Sequence, residues 1–165
     1  MGVVGAGKTT VGSLLAKKLG WRFADADDFH PAANVEKIRN GMPLDDSDRV
    51  PWLAALRTAI LQWNVEGQDA VLACSALKRK YRDVLRVDGV HFVYLKGDFE
   101  LIEQRLRTRR GHFASDSILK SQFEDLEKPA DATTVEIAKP PEAIVAEIID
   151  KLKSSRVAYS GRAQK

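Results

Sequence analysis

The amino-acid sequence predicts an α/β fold in which helices cover both faces of a parallel sheet, in three layers. Short apolar runs of strand length alternate along the chain with longer segments of helical periodicity. Residues 70–74 are apolar throughout, which is typical of a strand buried on both faces. Polar segments rich in charge or glycine follow the strands directly. Since parallel sheets bind ligands at the carboxyl ends of their strands, we expect the functional residues there.

In the first half of the chain, glycine and proline mark the ends of the predicted elements. Glycine readily ends a helix, and proline is favoured in a helix's first turn. The predicted order is a helix that ends at Gly20, a strand around residues 21–23, a helix from Pro31 to Gly41, a loop over residues 42–49 and a long helix with Pro51 in its first turn and Gly67 at its end.

The second half repeats the alternation of strand and helix. Ser115 is a suitable N-cap, and Pro140 and Pro141 suit the start of a last helix. No helical periodicity continues after Lys153, so we expect a disordered tail over residues 154–165. The predicted order is a strand over residues 70–74, a helix around Tyr81, a strand over residues 91–95, a helix around residues 101–106, a helix after Ser115, a strand around Val135 and a helix that ends near Leu152.

Length and composition indicate a single globular domain over residues 1–153. The chain has 165 residues, of which 44% are hydrophobic and 30% are charged, and its net charge is +3. No apolar run reaches the length of a membrane span. Cys74 is the single cysteine, which excludes an internal disulfide and fits a reducing cytosol. We therefore expect a cytoplasmic protein.

The chain opens with the pattern G-x-x-x-x-G-K-[ST] over residues 2–9, which is typical of a phosphate-binding loop. Its glycines allow successive backbone N–H groups to point into one concavity that binds an oxyanion. Lys8 is placed to reach the outer phosphates of a nucleotide, and the Thr9 hydroxyl to bind Mg²⁺. The predicted nucleotide-binding residues are Gly2, Val3, Val4, Gly5, Ala6, Gly7, Lys8, Thr9 and Thr10.

A phosphate loop of this type normally follows a buried strand, but only Met1 precedes Gly2. Loss of that central strand would leave the backbone of two neighbouring strands unpaired. We therefore expect that the true start lies upstream and that the first strand is missing from the sequence as written.

Two carboxylates, Asp25 and Asp27, follow the strand after the first helix. Phosphoryl transfer needs a carboxylate that orients the attacking hydroxyl, and another that holds Mg²⁺. Acidic residues are also common in solvated turns before a helix, which is the alternative explanation. The position relative to the phosphate loop favours function, and it does so more strongly for Asp27 than for Asp25.

Arginines are concentrated in residues 105–113, at the end of a predicted helix. A mobile flap that brings them onto the phosphates would neutralise developing charge and exclude water. A solvated helix end that complements the helix dipole is equally compatible with this pattern.

The remaining reactive side chains indicate no further site. The three histidines, His30, His91 and His112, lack the spacing of zinc ligands. Cys74 lies in an apolar strand and is predicted to be a core residue. The three tryptophans are likewise predicted to lie in the core.

Seven segments taken together resemble the gluconokinase family from Gly2 to about Leu152. Several of them are long and unusual, which makes the resemblance specific. They are the phosphate loop, D-x-D-x-x-H-P from Asp25, P-L-D-D-x-D-R-x-P-W-L from Pro43, C-S-A-L-K-x-x-Y-R-D from Cys74, L-x-G from Leu95, R-x-G-H-F from Arg109 and S-Q-F-E-x-L-E from Ser121.

The resemblance implies a P-loop kinase of the shikimate-kinase and nucleoside-monophosphate-kinase type. Such an enzyme would transfer the γ-phosphoryl group of ATP, with Mg²⁺, to the 6-hydroxyl of D-gluconate. It also implies a lid near residues 107–120, and because family members are often dimers, a homodimer is compatible with it. The departures from the family pattern are the missing first strand and the tail after Lys153.

The resemblance also implies roles for individual residues of this sequence. Lys8, Asp27 and Arg109 would be catalytic, with Arg109 in the lid. Thr9 and Asp25 would hold the metal ion. A bidentate arginine suits the carboxylate of a sugar acid. The substrate-binding candidates are Asp27, His30, Arg49, Lys78, Arg82 and His112.

Three alternative functions remain open to test at this point. Another small-molecule kinase, such as a shikimate kinase, would share the phosphate-loop chemistry and differ in its acceptor site. A GTPase is disfavoured because neither N-K-x-D nor D-x-x-G occurs in the chain. A nucleic-acid-binding protein is supported by net charge alone, so we expect no nucleic-acid or membrane partner.

Overall fold

The computed structural model describes residues 1–108 and 116–160, in which helices alternate with short parallel strands. A short 3₁₀ turn, Ala26–Phe29, follows the first strand. The strands are β1 Arg22–Asp25, β2 Ala70–Ala73, β3 Val93–Lys96 and β4 Thr133–Glu136, and the helices are α1 Lys8–Leu19, α2 Ala32–Arg39, α3 Asp46–Val65, α4 Arg79–Leu85, α5 Phe99–Thr108, α6 Asp116–Asp125 and α7 Pro141–Ser160.

The four strands form two parallel pairs. β1 pairs with β2, with Arg22 opposite Ala70, and β3 pairs with β4, with Val93 opposite Thr133. The predicted α/β class with parallel strands is therefore confirmed, but the sheet is divided into two pairs. The first element of the described residues is α1, directly after the phosphate loop.

Met1 and Gly2 connect the two pairs. The Gly2 N–H donates to the Ser75 carbonyl at 3.2 Å, and the Leu95 N–H donates to the Met1 carbonyl at 3.0 Å. Met1 also lines a cavity of about 370 Å³, together with mainly apolar residues of β2, β3, α1 and α7. The phosphate loop therefore begins in the gap between β2 and β3.

Two apolar clusters stabilise this arrangement. One joins α1, α5, α6 and α7 to β3 and β4 and includes Ile102, Leu119 and Ile148, which are at most 1% exposed. The other surrounds α3, with Leu56 fully buried at its centre. Burial of such a side chain contributes about 1.5–3 kcal/mol relative to its exposure. The helices are thus fixed against the strands that carry the site.

Two of the three tryptophans confirm the prediction that they belong to the core. Trp52 and Trp63 are buried, whereas Trp21 is half-buried. Cys74 is buried as predicted, and burial raises the pKa of its thiol to about 11.

Two element boundaries differ from the predicted ones by more than two residues. α3 begins at Asp46 because Asp45 and Asp48 form a reciprocal capping box, so part of the predicted loop is helical and Pro51 lies beyond the first turn. α7 continues through Ser160, past residue 154, where the tail was expected to begin. None of the described helices is both long enough and apolar enough to cross a membrane.

Candidate active site

The phosphate loop turns sharply at three glycines with positive φ. The φ angles of Gly2, Gly5 and Gly7 are 147°, 79° and 89°. Side chains rarely adopt these angles, which explains glycine at these positions. Gly5 also packs closely on α5, since a Cβ atom there would lie 2.9 Å from Ile102 Cγ2. The loop therefore has a defined shape that is supported from behind by α5.

The loop delivers the N-terminus of α1 to the site. The first intrahelical hydrogen bond runs from the Val11 N–H to the Gly7 carbonyl at 2.9 Å. The preceding N–H groups of a helix have no intrahelical acceptor, so those of residues 8–10 are oriented for an anion. The positive end of the helix dipole adds to this preference.

Lys8 lies folded against its own loop. Its Nζ donates to the Val3 carbonyl at 3.0 Å. Burial lowers the pKa of Lys8, and this effect is opposed by the negative charges of Asp27 and Asp25 and by the Cys74 thiol. The ammonium group therefore contacts its own loop and interacts electrostatically with Asp25 and Asp27.

Asp25 ties the phosphate loop to the end of β1. Its Oδ2 accepts from the Thr9 hydroxyl at 2.9 Å, and its Oδ1 accepts from the Asp27 N–H at 3.2 Å. A hydroxyl and a carboxylate side by side fit the oxygen ligands that Mg²⁺ prefers. No group of three or more metal-ligating side chains lies within the residues that the structure describes. These two residues are thus suited to a metal ion that nucleotide phosphates also bind.

His30 follows the acidic turn, by which we mean the 3₁₀ turn Ala26–Phe29, and connects this turn to α3. Its ring stacks on Trp52 with centroids 4.8 Å apart, and Asn34 Nδ2 lies 3.4 Å from its Nδ1. Burial lowers the pKa of His30, while Asp27 raises it and Arg49 lowers it further. Asp27 is exposed, and Arg49 is half-buried. The structure therefore brings these two sequence candidates close to His30.

A charged network extends this cluster towards α4. Arg49 Nη1 donates to the Tyr81 hydroxyl at 3.3 Å, and that hydroxyl donates to the Asp46 carboxylate. Lys78 Nζ lies 3.7 Å from Asp46 Oδ1. Sequence reasoning named Arg49 and Lys78 but missed Tyr81 and Asp46. Both lie in motifs that carry the resemblance, and that was the available signal.

Arg82 does not join this network. It is buried, and its Nη1 donates to the carbonyls of Ala76 and Leu77 at 3.0 and 2.7 Å. Ala76 has a φ of 43°, which is strained for a residue with a side chain. The structure therefore places Arg82 as a support of the loop before α4. Its predicted contact with substrate stays a prediction.

The arginine-rich segment is described in part. Arg105 donates to the Ile137 carbonyl at 2.6 Å, and Arg107 pairs with Glu103 at 3.2 Å. These two residues fit the helix-end interpretation. Arg109, His112 and N-cap Ser115 lie outside the described residues, so their predicted roles stay predictions.

Comparison with known proteins places this site in a family context. The family model described as Shikimate kinase matches residues 4–153. The thermoresistant gluconokinase of Escherichia coli is 43% identical over 162 residues, which cover 94% of this chain and 93% of that protein. The gluconokinase of Gluconobacter oxydans is 45% identical over 154 residues, which cover 90% of this chain and 86% of that protein.

A solved structure agrees with these relatives. The crystal structure of a gluconokinase from Sinorhizobium meliloti superposes with a TM-score of 0.86 at 38% identity, covering 100% of this chain and 94% of that one. The similarity therefore extends over the phosphate loop, the acidic turn and the network around Tyr81.

Proposed function

The chain belongs to the gluconokinase family of ATP-dependent P-loop kinases, and from this membership we propose that it phosphorylates D-gluconate on its 6-hydroxyl. In the reaction, the 6-hydroxyl oxygen forms a bond to the γ-phosphorus of ATP. The bond from that phosphorus to the β,γ-bridging oxygen breaks, and ADP leaves with the electron pair. The products are 6-phospho-D-gluconate and ADP.

On the nucleotide side, the loop from Gly5 onwards supplies the backbone donors. The N–H groups at the start of α1 would bind the phosphate oxygens, and Lys8 would exchange its contact with the Val3 carbonyl for the outer phosphates. Thr9 and Asp25 would hold Mg²⁺, which neutralises charge on the β- and γ-phosphates when bound. Positioning and charge stabilisation are the main contributions a protein makes to phosphoryl transfer.

On the acceptor side, Asp27 would orient the 6-hydroxyl and accept its proton late in the reaction. It is exposed at the carboxyl end of β1 and lies within electrostatic reach of both Lys8 and His30. Arg49 and Lys78 would bind the carboxylate and hydroxyls of the sugar acid, with His30 beside them. Tyr81 would fix the direction of Arg49.

The observation that supports this proposal is the electrostatic interaction of Asp27 with both sides of the site. Its negative charge raises the pKa of Lys8 in the phosphate loop and the pKa of His30, on which the charge of Arg49 also acts. A carboxylate that interacts with both the polyphosphate side and the sugar-acid side is what transfer from ATP to a sugar acid requires.

The finer features of the proposal come from the resemblance and from chemistry. We propose Mg²⁺ dependence, a role in gluconate utilisation, and a homodimer in the cytoplasm. Inhibition by EDTA and recovery with added Mg²⁺ would support the first of these.

A coupled assay of ADP release tests the substrate. We expect turnover with D-gluconate and at least a hundredfold lower kcat/KM with shikimate or with nucleoside monophosphates, because Arg49, Lys78 and Tyr81 present a different acceptor surface. Preference for one of the other acceptors would overturn the choice of gluconate while leaving kinase chemistry in place.

A further inference from the structure

The last of the seven sequence segments, S-Q-F-E-x-L-E, has no role in the mechanism above, yet the structure gives it contacts on both sides of the site. We call residues 122–127 the α6 end segment; it comprises the end of α6 and the two residues after it. The inference that follows rests on the proposed kinase function.

At its first residue, the α6 end segment contacts the phosphate loop. The Val4 N–H donates to Gln122 Oε1 at 2.7 Å, across 118 residues of sequence. Val3 accepts from Lys8 and from the Ala6 N–H, the latter at 3.3 Å. Residues 3 and 4 thus hold the loop in shape, and the N–H groups that face an anion belong to the residues after them.

At its last residue, the same segment contacts the acceptor side. The Glu127 N–H donates to the Leu77 carbonyl at 3.1 Å, and Glu127 Oε2 accepts from the Arg79 N–H at 2.6 Å. The Arg79 N–H belongs to the first residue of α4, where Lys78 provides no side-chain cap. Glu127 therefore caps α4 from a distance.

Between these two contacts, Asp125 pairs with the predicted substrate residue Lys78. Lys78 Nζ lies 3.3 Å from Asp125 Oδ1, and the Lys78 side chain is 25% exposed. The segment itself is anchored in the core, since Phe123 packs on Phe99 with ring centroids 5.4 Å apart. A rigid base of this kind allows the segment to fix what it touches.

We propose that Gln122 and Glu127 are positioning residues at two ends of one clamp. Gln122 orders the phosphate loop through the Val4 N–H, and Glu127 orders Lys78 through the N-terminus of α4. The clamp sets the spacing between the nucleotide and the acceptor. Neither side chain touches the reacting atoms.

Steady-state kinetics of Gln122→Met and Glu127→Met, with KM measured for both ATP and gluconate, test the clamp. Methionine matches the length of both side chains but provides no comparable acceptor. We expect Gln122→Met to raise KM for ATP about five- to tenfold and to change KM for gluconate less than twofold. Glu127→Met should raise KM for gluconate by a similar factor and leave KM for ATP within twofold. Ser121→Ala, a substitution at the adjacent exposed residue, should change neither.

A second measurement observes the hydrogen bond without activity. Amide hydrogen exchange at Val4 should be slow in the wild type and at least tenfold faster in Gln122→Met and in Gln122→Ala, which removes the same acceptor without adding an apolar group. Titration with ADP should show weaker binding for both variants.

Several outcomes would overturn the inference. If both Gln122 variants kept the wild-type KM for ATP and the wild-type exchange rate at Val4, the contact would have no part in the mechanism. Equal shifts of both KM values together with a lower melting temperature would reduce the segment to a structural role. If wild-type enzyme with an intact Val4 bond did not phosphorylate gluconate, the proposed substrate would fail instead.

Discussion

The proposed chemistry depends on single residues at the end of β1, and their neighbours provide matched controls. Asp27 and Asp28 are consecutive exposed carboxylates in the same 3₁₀ turn. Asp27 acts electrostatically on both Lys8 and His30. The carboxylate of Asp25 already accepts hydrogen bonds from the Thr9 hydroxyl and the Asp27 N–H. The three acidic residues are therefore expected to differ in function.

Substitution of Asp27 tests this difference. Asp27→Asn removes the group that accepts the proton but keeps its size, so kcat should fall by roughly 10²- to 10⁴-fold. The Kd for ATP, measured by calorimetry, should change less than threefold. Asp28→Asn serves as the control and should leave kcat within about twofold. Equal kcat for wild type and Asp27→Asn would remove Asp27 from the mechanism.

At the scale of elements, the loop between β2 and α4 depends on a buried cation. Arg82 donates from inside α4 to two carbonyls of that loop, at Ala76 and Leu77. The positive φ of Ala76 is maintained by these contacts and by the packing around them. Lys78, the next residue but one, is thereby held near Asp46 and Asp125.

Replacement of Arg82 tests whether its side chain supports the loop or binds the substrate. Arg82→Met removes the side-chain donor to two buried carbonyls, of which Leu77 keeps only the Glu127 N–H, so the free energy of unfolding should fall by roughly 2–4 kcal/mol. Urea denaturation measures this change. Arg79→Met, an equal substitution at the exposed start of the same helix, should cost less than about 1 kcal/mol. A large rise of KM for gluconate with unchanged stability would instead restore the sequence prediction that Arg82 binds substrate.

At the scale of the whole molecule, the phosphate loop joins two apolar clusters and two strand pairs. Its first residues bridge Ser75 after β2 and Leu95 in β3, and its glycine turn rests on α5. The loop therefore transmits the binding of a ligand to both halves. Binding to the folded state stabilises the whole chain by mass action.

Thermal shift measures this effect and tests nucleotide choice. ATP at a hundred times its Kd should stabilise the protein by about 2.7 kcal/mol, which corresponds to a rise in Tm of roughly 5–10 °C for a chain of this size. GTP at the same concentration should give a smaller rise. Lys8→Ala should abolish most of the ATP effect. A larger rise with GTP than with ATP would contradict the assignment.

Local patterns were sufficient to predict much of the fold and part of the site. The phosphate loop was recognisable because the need for positive φ and the spacing of the lysine are properties of consecutive residues. The capping box that starts α3 at Asp46 is also local, but proline at position 51 drew the predicted boundary too far along the chain. The pairing of Asp25 with Thr9, 16 residues apart, followed the expected meeting of motifs at the strand ends.

By itself, the sequence determined the parallel α/β class, the phosphate loop and the acidic turn after β1, because each follows from residues that are close together. Only the tertiary structure decided that Arg82 supports backbone carbonyls, that Tyr81 and Asp46 join Arg49 and Lys78 in one network, and that Gln122 reaches the Val4 N–H from 118 residues away. The physical reason is that a side chain's partner depends on the packing of distant elements. Local periodicity contains no information about which backbone groups remain to be satisfied after those elements meet.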